Sequence, residues 1–305
     1  MRWQVPQSSE LNLRTVGTVL PLVVVSVAYH SQSPLTSLAA DLGRQSQCPL
    51  RWLVVDNAPQ SAPLDPVPFQ EFLGEVPLRL LRGQEGAGFA AGCNAAFEDL
   101  KQQGHRGWIW LLNPDIRLPE GHELSRLRIR LQDRDPRSVM GTAVRDDFGQ
   151  LEASAGWIDP GLNFRRRCIQ ASHVDSSFAP LAVDWLSGCS LILCPTAHQP
   201  PARFDPGYPL YYEDLDLSRR LAASGAPLLW LPTPELGHQR GEGSSTPSSR
   251  RLHLSTLSYC RYLHQHCARW VQVVRLLRLL LIALLRSPLQ PRRSWAVLSG
   301  IRVAG

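Results

Sequence analysis

The sequence predicts an α/β protein: a mixed, mostly parallel sheet flanked by helices, followed by a C-terminal helical appendage. Two observations point there. Between Leu22 and Leu112, apolar and β-branched runs alternate with helix-like segments in β-α-β-α-β order. Such an order needs crossover connections, which pair strands in parallel and cover both sheet faces. From residue 250 onward the composition changes abruptly, to ten arginines with no acid and no lysine.

The elements follow in order. Leu22 to Val27 is almost wholly apolar and β-branched, as suits a strand buried on both faces. Ser33-Pro34 offers an N-cap followed by proline at the first helical position, and Gly43 can close that helix. Arg51 to Asp56 reads as a second strand ending in an acid, and Val76 to Leu81 as a third. Gly88 opens a helix that runs to about Gln103, with Gly104 as its stop. Trp108 to Leu112 is the next strand, and Pro114 ends it because proline cannot donate to a sheet ladder. Asp135 to Gly161 reads as turns and short strands, and Asn163 to Pro180 as a polar, mobile loop. Val183 to Leu193 resembles a strand with a tight Ser187-Gly188 step. Glu213 starts a helix with Glu213, Asp214 and Asp216 in its first turn, Arg219 and Arg220 further on, and Gly225 as its close. That polarity complements the helix dipole, and Arg219 is expected to brace the helix through a salt bridge. Leu228 to Leu231 is a last strand.

The expected organisation is an extension over 1–19, one domain over 20–240, a Gly/Ser-rich linker over 241–249, and a basic amphipathic helical tail over 250–305. The apolar stretch Val19 to Ala28 contains Pro21 and follows Gln4, Ser8, Ser9 and Glu10, so it reads as the first strand and not as a secretory signal. A chain of 305 residues with 44% hydrophobic and 19% charged residues can bury a sizeable core. The net charge of +6 belongs to the tail, since the rest holds 22 basic against 26 acidic residues. This argues against a nucleic-acid partner and points the tail toward an anionic membrane surface or partner. The seven cysteines form no C-x-x-C pair and several lie in apolar runs, which suits a reduced, cytosolic compartment. Trp270 to Leu285 is apolar except for Gln272, Arg275 and Arg278, and its unbroken run is too short to span a bilayer. It fits an amphipathic helix lying at a membrane surface, or one packed on the body.

Three features carry chemistry. Asn113-Pro114-Asp115 puts a carboxylate on a constrained turn at a sheet edge, suited to holding a divalent ion against a diphosphate. These residues are also ordinary turn formers. Asp214 sits at a helix start, where it can act as a base or simply stabilise the terminus. His238 follows the last strand, as a ligand or as a surface loop residue.

In their order and spacing these segments resemble family 2 glycosyltransferases of GT-A fold, in the rhamnosyltransferase-like subgroup, over about residues 20 to 240. The carriers are Val54-Val55-Asp56-Asn57, Gly88-Phe89-Ala90-Ala91-Gly92-Cys93-Asn94, Leu112-Asn113-Pro114-Asp115, Asp184 to Ile192, and Phe204-Asp205 through Arg219. Departures stand at His30 and Gly86, where asparagine is usual, and around Pro59 and Ser61, where a serine and a second aspartate are missing. The resemblance implies an inverting, metal-dependent enzyme with Mg²⁺ or Mn²⁺ held by Asp115 and His238. A nucleotide-sugar donor would bind through Asp56, Gly88, Asn94, Asn113, Ser187 and Gly188, and Asp214 would be the general base. Asp56 would accept a hydrogen bond from a pyrimidine, or else cap the next turn. Gly88 would bring backbone N–H groups to the donor, or else permit close packing. The acceptor would be a glycan or glycolipid hydroxyl, the sugar rhamnose from a thymidine diphosphate donor, and the context cell-surface polysaccharide synthesis on the inner face of the plasma membrane. The alternative is a non-catalytic nucleotide-sugar-binding or scaffold protein of the same fold. A sugar nucleotidyltransferase is disfavoured, because no Gly-rich, Arg/Lys-bearing N-terminal loop is present.

Overall fold

A computed structural model describes residues 20–49, 51–174, 178–239 and 248–304. The first half runs β1 (Leu22–Ala28), α1 (Gln32–Gly43), β2 (Trp52–Asp56), α2 (Val67–Leu73), β3 (Leu78–Arg82), α3 (Gly88–Gln102) and β4 (Trp108–Leu112). Then come β5 (Ile116–Arg117), α4 (Glu123–Leu131), β6 (Val139–Arg145), β7 (Ala155–Ile158), β8 (Arg166–Cys168), β9 (Leu181–Ala182), β10 (Trp185–Leu186), β11 (Ser190–Leu193), α5 (Glu213–Ala223) and β12 (Leu228–His238). Three helices follow: α6 (Ser249–His266), α7 (Arg269–Arg286) and α8 (Pro291–Ala304).

The main sheet has the order β3-β2-β1-β4-β11-β6-β12-β5, with β9 beside β12. Strands β1 to β4 pair in parallel, β11 is antiparallel to both β4 and β6, and β12 runs parallel to β6. A smaller sheet, β10-β7-β8, stands apart. Alternate residues of β1 divide between two cores. Leu22 and Val24 pack with Leu35, Leu38 and Leu42 of α1, whereas Val23 and Val25 pack with Ala96 and Phe97 of α3 and Leu217 of α5. Burial on both faces is what a parallel, helix-covered sheet demands, and it explains why β1 shows no polar alternation. Trp110 lies in the first core and satisfies its indole N–H on Ser190 Oγ at 2.9 Å.

Several elements differ from expectation. α2 and α4 were not foreseen; α4 is short, and its Leu124, Leu127 and Leu131 form a narrow buried stripe. β12 does not stop at Leu231. A register shift between Leu231 and Glu235 absorbs Pro232 and Pro234, after which pairing with β6 resumes to Gly237. Proline only halts a strand where no irregularity accommodates it. The polar stretch 163–180 contains β8 and a helical turn at Ala171–His173, while 175–177 lie outside the described residues. So do the extension 1–19 and linker residues 241–247.

The helix beginning at Ser249 is not an independent tail. Tyr262 and Leu263 of α6 are fully buried in a third cluster with Trp185, Tyr208 and Leu215. Arg261 pairs with Asp205 at 2.7 Å, His266 Nε2 meets Asp216 Oδ1 at 2.8 Å, and Tyr262 donates to the Asn163 carbonyl at 3.0 Å. A boundary at residue 250 would cut through this cluster, which Val271 of α7 also joins. The brace of α5 also falls elsewhere than expected: Arg220, not Arg219, holds Asp216, at 2.7 Å.

Candidate active site

The crossover direction reverses at β1, which has β2 on one side and β4 on the other. Such a switch point opens a crevice at the carboxyl ends of the strands. Asn113, Asp115 and, through the sheet, His238 all stand at that edge. Asn113 ends β4 with its N–H on the Cys189 carbonyl at 3.0 Å, and the Ile116 N–H returns to the Asn113 carbonyl at 3.2 Å. The turn therefore projects Asp115 and starts β5, where Ile116 pairs opposite His238.

This register brings His238 to Asp115, the pair the resemblance joins, and also to Glu152, which no motif pointed to. His238 Nε2 lies 3.1 Å from Asp115 Oδ2, and its Nδ1 lies 2.9 Å from Glu152 Oε2. Burial alone would lower the histidine's pKa, but the two carboxylates outweigh it and raise it to about 9. At neutral pH the ring is an imidazolium that donates to both. Glu152 was missed in the sequence, where it is one polar residue in a stretch of turns. It is fixed by a hairpin: Leu151 bridges Arg145, and the Glu152 N–H donates to Val144 at 2.8 Å.

Asp115 Oδ2 and His238 Nε2 also suit a shared cation. A carboxylate oxygen and an imidazole nitrogen are both ligands that Mg²⁺ or Mn²⁺ accepts, and here they converge on one point. Among the described residues no group of three or more His, Cys, Asp or Glu side chains is arranged to hold a metal. Any remaining ligands would have to be substrate or water.

Asp214 is presented by the start of α5. Its Oδ2 accepts the Gly188 N–H at 3.1 Å and its Oδ1 the Leu215 N–H at 2.8 Å. Burial raises its pKa despite these bonds. Burial, and then the charge of Asp214, push neighbouring Glu213 up to about 8. The lead into this helix is strained: Tyr211 and Tyr212 have φ of +63° and +69°. Non-glycine residues held there cost about 1–3 kcal/mol each, a strain often found at functional sites. Gly188 is glycine for a steric reason, since a Cβ would come within 2.9 Å of the Phe89 ring.

The two halves of the site share one loop. Ser187 donates its N–H to Ser154, two residues from Glu152, while Gly188 reaches Asp214. Cys189 sits between them; burial first, then Asp214 and Glu152, push its thiol up to about 11. A cavity of about 460 Å³ opens beside Asp214, lined by Ser187, Arg166, Trp185, Tyr212 and Leu279. Arg166 lies 5.2 Å from the Trp185 ring and 5.6 Å from that of Tyr212. A second cavity, of about 410 Å³, lies past Glu213, lined by Tyr29, Asn57, Gly88 and Arg251.

Two expected donor residues are instead engaged as scaffold. Asp56 is buried, and its carboxylate accepts the Ala58 and Leu64 N–H groups at 2.9 and 3.0 Å, the turn-capping role. Asn94 forms a reciprocal pair with the Phe204 backbone at 2.9 and 3.0 Å. Gly88, with φ +79°, turns the chain into α3, and its carbonyl accepts Asn57 Nδ2 at 2.8 Å. Asn57, unassigned by the sequence, thus faces the second cavity from the position next to Asp56.

The architecture is the GT-A glycosyltransferase fold. A mannosyltransferase, PcManGT from Pyrobaculum calidifontis, solved with GDP-Man and Mn²⁺, matches with TM-score 0.56 and 13% identity, over 94% of this chain and 86% of that one. GalNAc-T7 with UDP, GalNAc and Mn²⁺ matches at 0.54 and 13%, over 81% of this chain and 48% of that one. S. aureus TarS 1–349 with UDP-GlcNAc matches at 0.53 and 15%, over 82% and 68%. In sequence, the chain is similar to the N-acetylglucosaminyl-diphospho-decaprenol L-rhamnosyltransferase of Mycobacterium tuberculosis strains CDC 1551 / Oshkosh and ATCC 25618 / H37Rv. That similarity is 27% identity over 277 residues, 83% of this chain and 86% of the relative. No protein-family model matches the sequence.

Proposed function

We propose that this protein is an inverting, metal-dependent glycosyltransferase of family 2. It moves a sugar, rhamnose foremost, from a nucleotide-diphosphate donor to a hydroxyl of a glycan or lipid-linked acceptor in cell-surface polysaccharide synthesis. The observation that carries this is the joining of two groups by one loop: the Asp115–His238 pair at the strand ends and Asp214 at the wall of a cavity. The rhamnosyltransferase relative supports the sugar and the lipid-linked acceptor.

The chemistry divides between them. Asp214, with two backbone donors holding its carboxylate, takes the proton of the acceptor hydroxyl as that oxygen bonds to the anomeric carbon. The bond from that carbon to the diphosphate oxygen breaks in the same displacement, which inverts the centre. Mg²⁺ or Mn²⁺, held by Asp115 and His238, would supply charge to the departing diphosphate. His238 would have to be neutral to hold it, so loading the metal would release a proton. Asn113, Ser187 and Gly188 border the donor's reacting end. Asn57 and Gly88 border its nucleotide, and Asp56 and Asn94 hold that wall in place. Arg166, on its aromatic platform, is suited to a phosphate of the acceptor. All seven cysteines are free thiols, which supports a cytoplasmic site of action.

The test is incubation with a panel of nucleotide diphosphate sugars, with and without Mg²⁺ or Mn²⁺, followed by addition of a lipid-linked acceptor. Metal-dependent consumption of one donor, accelerated by acceptor, is expected. Tight nucleotide-sugar binding with no turnover of any donor would instead establish the non-catalytic alternative.

A further inference from the structure

The helix α7 turns two unlike sides outward and inward. Inward, Val271 and Ala283 are buried, Leu276 packs on the Tyr262 cluster, Arg275 lies 3.6 Å over the Phe164 ring, and Leu279 lines the cavity beside Asp214. Outward, Trp270, Val273, Val274, Leu277, Leu281 and Leu284 are all more than half exposed. At 3.6 residues per turn these six fall within an arc of about 100°. Six large apolar side chains on one stripe are not the scattered surface hydrophobics any protein shows. Exposed Arg269 and Arg278 border the stripe on its two sides, exposed Arg286 ends the helix, and exposed Arg292 follows in α8. From 250 to 305 there is no acid to balance them.

We propose that this face of α7 docks on an anionic bilayer surface and thereby holds the acceptor cavity close to the membrane. An apolar stripe edged by arginines is the form of an interfacial helix, which sinks one face among the acyl chains while its cations meet the headgroups. Among the described residues no helix is long and apolar enough to cross a membrane, so the attachment is to one leaflet. A second copy of this chain fits the stripe less well, because pairing two such faces would bring arginine against arginine with no acid between them. The position of Leu279 gives the surface its use. The same helix that meets the bilayer forms, with its opposite side, a wall of the cavity containing Asp214 and Arg166, so the cavity stands one helix diameter, roughly 10 Å, from the surface and within reach of the polar head of a lipid-borne acceptor. This last step rests on the glycosyltransferase reading; the docking face does not.

The test is co-sedimentation of the full chain with phosphatidylcholine vesicles and with vesicles containing phosphatidylglycerol. The comparison protein carries Leu277→Glu and Leu281→Glu, two exposed positions outside the cavity. The wild type should pellet with the anionic vesicles, and the variant's bound fraction should fall about tenfold or more with an unchanged melting temperature. Transfer to a lipid-linked acceptor in vesicles should fall in parallel, while transfer to a water-soluble acceptor and donor hydrolysis stay as in the wild type. A wild type that stays in the supernatant overturns the proposal. So does a variant that pellets equally, or a wild type that self-associates in sedimentation velocity through these leucines and ignores vesicles. If vesicle binding behaves as expected but neither protein turns over any donor, the docking face stands and the glycosyltransferase reading falls.

Discussion

Replacing Asp214 by asparagine separates proton transfer from shape. The carboxylate now holds two backbone N–H groups, of Gly188 at 3.1 Å and Leu215 at 2.8 Å. Asparagine can keep one of these with its carbonyl oxygen and must turn its amide away from the other donor. Losing one hydrogen bond to a charged group costs about 1.5–3 kcal/mol. Relief works in the opposite direction, because burial disfavours the Asp214 charge and that charge in turn raises Glu213. The net change in stability should therefore stay within about 2 kcal/mol, and the fold should persist. The rate should not. A positioned general base contributes about 10²–10⁴-fold, or about 3–5 kcal/mol of barrier at 1.36 kcal/mol per decade. Transfer assayed at saturating donor should fall by that factor. Donor affinity by calorimetry should change by no more than about threefold, since the loss lies in the transition state and not in binding. A variant that retains more than about a tenth of wild-type turnover would refute Asp214 as the base.

Other outcomes follow from the same geometry. Asp115→Ala should weaken Mn²⁺ and nucleoside diphosphate binding by about tenfold or more in calorimetry, because one of two convergent donors is gone. Unchanged affinity for both would return Asn113-Pro114-Asp115 to an ordinary turn. Glu213 is raised from 4.5 to about 8 on folding, so the folded state holds its proton longer than the unfolded chain. Its contribution to stability must therefore decline as pH rises through that window. Thermal midpoints of wild type and Glu213→Gln should converge at the acid end and diverge toward pH 8, with the wild type losing more. Gly188→Ala should cost about 1–3 kcal/mol by chemical denaturation through its clash with Phe89, and should lower kcat by displacing the loop that holds Asp214. Tyr262→Ala should cost about 3–5 kcal/mol if α6 belongs to the core as its full burial indicates. A cost under about 1 kcal/mol would restore α6 to a detachable tail.

Much of the fold was legible because its signals are local. Trp108–Leu112 is strand from end to end as read, since an apolar run stopped by proline leaves little choice. α3 begins at Gly88 and ends one residue short of Gln103, as its glycines indicated. β12 was cut short at Leu231 because the prolines are visible in the sequence and the register shift that tolerates them is not. Asp56 illustrates the limit for side chains. Its place at the end of β2 was readable, but whether its oxygens face a ligand or the Ala58 and Leu64 amides depends on how the following loop folds back.

By itself, then, the sequence determined the alternation of elements and the strand ends where chemistry can sit, and it put forward Asp115, Asp214 and His238 as candidates. The elements follow from period and proline placement, properties of neighbouring residues; the candidates rest on motif order and the resemblance it carries. Only the tertiary structure decided that Glu152 completes the contact around His238, that Gly188 serves Asp214, and that α6 and α7 wall the cavity. The pairs concerned lie 86 residues apart for Glu152 and His238 and 26 for Gly188 and Asp214. Sheet register and helix packing close those distances, and both are set by the burial of two cores at once, which no local pattern encodes.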